Sequence, residues 1–78
     1  MQYFDKTQVG ARIRKLRIEQ NITQRQLAER LYYASERQLQ RIESGETSCS
    51  VDKLMEIAQI LETTTDYLLF GEQKLDAM

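Results

Sequence analysis

Apolar residues in this chain recur three and four positions apart from Val9 to Leu61, and no stretch alternates cleanly at period two. There is also no proline to interrupt a helix. Together these leave an all-helical fold as the expectation. Val9, Ile13 and Leu16 make the inner stripe of a first helix over roughly residues 6–19, with Asn21 beyond its end. Thr23 opens a second helix, and Gln26 three positions on completes a capping box, in which hydroxyl and amide exchange bonds with backbone N–H groups. Leu27, Ala28 and Leu31 are its inner face. Ser35 with Gln38 repeats the pattern ahead of a third helix, with Leu39 and Ile42 inward and Gly45 free to close it in the left-handed conformation. Ser50 caps a fourth helix with Leu54, Ile57, Ala58 and Leu61 inward, and Thr64 caps a short fifth, "TDYLLF", stopped by Gly71. The expectation is one all-α domain, a compact five-helix bundle over 1–78, with its core over 5–71 and a short tail over 72–78.

Composition narrows the function classes. Residues that are 41% hydrophobic and 29% charged suit a globular domain and are too apolar for a disordered one. One cysteine, Cys49, and no histidine leave no internal disulfide, no metal-ligand spacing and no base beside a nucleophile, so neither an enzyme nor a bound metal or cofactor is expected. No apolar run approaches the ~20 residues that cross a membrane. The start, "MQYFDKTQ", lacks the basic and apolar regions of a signal peptide. A cytoplasmic protein is expected.

The net charge of −1 conceals a split. Residues 6–41 carry +6, residues 42–78 carry −6, and Asp5 supplies the remainder. Such segregation suits one half meeting an anionic partner. Helical surfaces need charge in any case, so the split alone leaves both explanations open.

The third helix sharpens the choice. Projected at ~100° per residue, the direction opposite Leu39, Ile42 and Glu43 has Arg37 and Arg41 within about 30° of it. Gln38 and Gln40 flank them and Glu36 lies further round. Arginine donates two bonds to guanine and the glutamine amide pairs with adenine, so this face carries the side chains that read base edges in a major groove. Arginine and glutamine are also good helix formers on any solvated surface. The preceding capped helix weighs toward the first explanation.

At this point the chain resembles a family. "VGARIRKLRIEQNITQRQLAERL…SERQLQRIESGE…SVDKLMEIAQILETTTDYLLFG" is similar to the helix-turn-helix domain of the XRE family, which includes lambdoid phage repressors and Cro proteins. The likeness covers roughly residues 9–71 through ordered elements: R-x-x-R, "TQxxLA", "RIExGE", "SVDKLMEIA" and "TDYLLFG". It implies a lambda repressor-like fold whose second and third helices form a DNA-reading pair, in a homodimer on double-stranded DNA with a palindromic operator. Half-sites would lie about one helical turn apart, ~10 bp centre to centre. By position it implies a phosphate contact at Gln24, with Arg25 beside it, and further ones at Thr47 and Ser48 after Gly45. A polar side chain at a helix N-terminus suits an anion. Arg17 and Glu43 match the family's buried ion pair, a structural feature.

One element departs from the family pattern. Seven residues separate Leu31 from Leu39 where the family has six, and Tyr32 stands where a glycine is usual. Tyr32 and Tyr33 could pack on the core or stack near the DNA backbone; packing is favoured for at least one. Two other functions remain on the sequence alone. One is a protein-interaction module that keeps the fold and uses Tyr67, Phe70, Leu75 and Met78; the other is an antitoxin-type regulator that binds DNA and a partner protein.

Overall fold

A computed structural model of the chain describes residues 4–31 and 34–71. The turn residues Tyr32 and Tyr33, and the tail with Leu75 and Met78, lie outside the described residues. Five helices follow one another: α1 (Lys6–Glu19), α2 (Gln24–Arg30), α3 (Glu36–Ser44), α4 (Val51–Ile60) and α5 (Thr65–Phe70). No strand occurs among the described residues.

Each start is held by a side chain that accepts a bond from an otherwise unpaired backbone N–H. Asp5 accepts from Thr7, Thr23 from Gln26, Ser35 from Gln38, Ser50 from Lys53 and Thr64 from Tyr67. The capping box on α2 is complete, because the Gln26 side chain returns a bond to the Thr23 N–H at 2.9 Å. At α3 only the hydroxyl half of the device is present, Ser35 Oγ with the Gln38 N–H at 3.1 Å. The glycine stops are as simple: Gly45 and Gly71 end α3 and α5 with φ of 83° and 80°, a region costly for any residue with a Cβ. Asn21 ends α1 at φ 61°, where asparagine is one of the few tolerated side chains.

The inward stripes meet in one core, with Ile13, Leu27, Leu39, Ile57, Leu61 and Leu68 fully buried. Leu16, expected inside, is half-buried at the edge of that core. α1 links the two halves of the bundle. It packs chiefly on α3 and also on α5, while α2 packs on α3 and α4 on α5. Arg12 of α1 donates from Nη1 to the carbonyls of Leu68 and Leu69, both at 3.1 Å, and so satisfies the open end of α5. Gln20 donates to the Leu61 carbonyl at 2.8 Å and ties α1 to the end of α4.

The α1–α3 contact is unusually close. Gly10 is buried, and a Cβ placed on it would come within 2.2 Å of the Ile42 carbonyl oxygen and 2.7 Å of that of Glu43. Gly10 lies in the second turn of α1, inside the helix expected over 6–19, and lets two helix backbones touch. Just beyond, at the C-cap of α3, a Cβ on Gly45 would lie 2.7 Å from the Thr7 Cα. The third helix is therefore seated on α1 at both of these points.

Candidate nucleic-acid interface

With its inner side locked to α1 and the core, α3 turns Glu36, Arg37, Gln38, Gln40 and Arg41 to solvent. Two shallow clefts run along this face. Arg37, Gln40, Arg41, Ser44 and Glu46 line one; Ser35, Arg37, Gln38, Arg41 and Thr47 line the other. Arg37 and Arg41 are common to both, with a glutamine on either side. A guanidinium pair flanked by amides, on a rigid helix open to a groove-shaped ligand, can donate bidentate bonds to base edges.

Thr47 joins this surface. Ser48, one residue on, lies against a separate apolar pocket that also borders Thr47. Arg25 is exposed on α2 and sits 3.6 Å from Glu29 one turn away, a surface pair too weak to hold it back from a phosphate. Gln24 is half-buried, and its amide nitrogen donates to Glu43 Oε1 at 3.0 Å. A second amide hydrogen on that nitrogen remains to donate elsewhere.

Beneath the face lies a buried charge network. Arg17 Nε meets Glu43 Oε2 at 2.6 Å and Arg17 Nη2 meets Oε1 at 3.0 Å, a two-pronged pair with both side chains nearly out of solvent. Arg17 Nη1 also donates to the Ile22 carbonyl at 2.8 Å, in the turn before α2. One arginine thus connects the end of α1, the turn into α2 and the C-terminal half of α3.

Lys6 was not singled out from the sequence as a site residue. Its Nζ donates to the Glu46 carbonyl at 3.3 Å and props the loop that carries Thr47. Forty residues separate the two, so no local pattern signals the contact. Burial pushes the Cys49 thiol up from its ordinary pKa, which makes it a poor nucleophile. Among the described residues no cluster of His, Cys, Asp and Glu could hold a metal ion, and no helix is long and apolar enough to cross a membrane.

Comparisons with known proteins bear on this surface. The helix-turn-helix family model matches residues 13–68, most of the chain. The P22 c2 repressor protein, solved in complex with synthetic operator 9T, is 30% identical with a TM-score of 0.77, the match covering 82% of this chain and 96% of that one. The restriction-modification controller protein C.AhdI from Aeromonas hydrophila is 25% identical with a TM-score of 0.74, over 83% of this chain and 93% of its own. PlcR from Bacillus thuringiensis, solved with the peptide PapR7 and DNA, is 32% identical with a TM-score of 0.73; 80% of this chain aligns with 21% of that larger protein. No curated protein sequence matches.

Proposed function

We propose that this chain, which belongs to the XRE-type helix-turn-helix family and is a DNA-binding transcriptional regulator, reads the major groove with α3 and acts as a repressor. Arg37 and Arg41 contact guanine edges, while Gln38, Gln40 and Glu36 take the neighbouring bases. Gln24, Arg25, Thr47 and Ser48 hold phosphates on either side and set the register. The observation that carries this reading is the pairing of two fully presented arginines with a helix whose back is seated on α1. A helix already seated spares the cost of ordering its backbone when its side chains meet base edges. The protein works as a homodimer on a palindromic operator in the cytoplasm. The −6 half does not oppose this, because exposed charges are screened over ~8–10 Å at physiological salt and phosphates feel the local basic face.

Selection of binding sites from a random duplex library tests the reading, with titration of the enriched site at two salt concentrations. A palindrome whose affinity falls with salt supports it; a folded protein that enriches nothing overturns it. Arg37→Ala and Arg41→Ala should each cost about 1–3 kcal/mol of specific binding and leave the melting midpoint unchanged. A midpoint that falls sharply would mark either residue as structural.

Gln24→Ala should weaken binding to all duplexes about equally, since a phosphate contact carries no sequence information. It also removes a bond to the buried Glu43, so the midpoint should drop by the few degrees that ~1 kcal/mol represents. A changed base preference would count against the phosphate role.

A further inference from the structure

Glu46 stands at the edge of the reading face with a charge that repels phosphate. Of the acidic residues described, it alone lines either cleft along α3, beside Arg37, Gln40, Arg41 and Ser44. Its backbone is fixed there. The Glu46 N–H donates to the Arg41 carbonyl at 2.9 Å, and the Glu46 carbonyl accepts from Lys6 Nζ at 3.3 Å. Gly45 before it turns the chain at φ 83°, tight against Thr7. Glu46 itself is exposed. Neither reading arginine is locked to it in the free protein: the ion pairs that arginines form among the described residues are Arg17–Glu43 and Arg25–Glu29.

We infer that Glu46 is a positioning residue for Arg41, one that makes this arginine a reader of bases in preference to a holder of phosphates. The inference rests on the reading of α3 as the helix in the major groove. A guanidinium carries five N–H donors in one plane. Guanine takes two of them through O6 and N7. A carboxylate on another edge takes a charge-assisted bond and fixes the plane. Arg41 therefore keeps Glu46 while it reads guanine, and the pair strengthens as water leaves the groove.

A phosphate makes the opposite demand. To reach one, Arg41 either abandons the carboxylate or brings it toward a like charge. The acid supports the right partner and opposes the wrong one, and specificity is such a difference of affinities.

Glu46→Gln removes the charge and keeps the shape. The base pair read by Arg41 is first located as the operator position whose preference Arg41→Ala abolishes. At that position Glu46→Gln should weaken discrimination about fivefold, and it should bind an unrelated duplex about threefold more tightly, changes of the size that a surface charge contact carries. Preferences at the other positions should hold, and Glu46→Asp should restore most of the loss. Glu62→Gln, the same charge change at an exposed residue outside both clefts, should leave discrimination as in the parent. Full discrimination in Glu46→Gln overturns the inference. So does equal tightening on operator and unrelated duplex, or an equal effect of Glu62→Gln, since either is only a change of net charge. If the parent discriminates among no duplexes, the DNA reading fails, and elution from heparin still decides the pair. Glu46→Gln should then elute at higher salt than the parent only while Arg41 is present; an equal rise in the Arg41→Ala background overturns the coupling.

Discussion

Gly10→Ala should lower the melting midpoint by about 10–20 °C, although alanine is the better helix former. In an exposed helix interior the change would stabilise by ~1 kcal/mol. Here the new methyl would meet the Ile42 carbonyl oxygen at 2.2 Å and the Glu43 carbonyl at 2.7 Å. Both obstacles are backbone and cannot rotate aside. Overpacking of a tight site costs ~1–3 kcal/mol, occasionally more, and a clash with backbone belongs at the upper end. The net loss of about 2–3 kcal/mol is a large share of a small domain's stability and sets the size of the shift. What remains folded should bind its operator less tightly, because α3 must move off α1. Thermal denaturation followed by circular dichroism checks this. A midpoint that holds or rises would show that the two helices are not in backbone contact.

Breaking the buried ion pair should cost more. Arg17→Met leaves the Glu43 carboxylate buried with the Gln24 amide as its remaining side-chain donor, and also frees the Ile22 carbonyl. Stranding one partner of a buried pair destabilises by about 3–5 kcal/mol. Glu43→Leu should be as harmful, since it leaves a guanidinium with two unsatisfied prongs. The double variant should recover much of the loss, because apolar residues of similar volume replace such pairs at little cost. Urea denaturation of the four proteins closes a double-mutant cycle. Additive losses would mean that the 2.6 Å pair is not a coupled unit.

Much of this fold was legible because its boundaries are written locally. A hydroxyl or carboxylate four positions before the first buried residue opens every helix, and glycines with positive φ close α3 and α5. The exposed face of α3 follows from the same 100° projection that places Leu39 and Ile42 inside. Other parts were not legible. Gly10 has no local signal separating a turn from a close helix crossing, since both want a missing Cβ. Arg12 finds the carbonyls of Leu68 and Leu69 more than fifty residues away, and Gln24 finds Glu43 at nineteen. Such contacts depend on how helices cross, which spacing along one helix does not encode. Leu16 sits on the right stripe but where the core thins, so pattern overstates its burial.

The backbone seat of α3 on α1 has a consequence for how such a protein diversifies. Because carbonyl oxygens under Gly10, and not α3 side chains, set how close the helices lie, the outward residues are relieved of any part in docking the helix. Arg37, Gln38, Gln40 and Arg41 form an alphabet that can be rewritten letter by letter on an unchanged carrier. Descendants of this chain could therefore drift to new operators through surface substitutions alone, and an engineer could retarget it the same way.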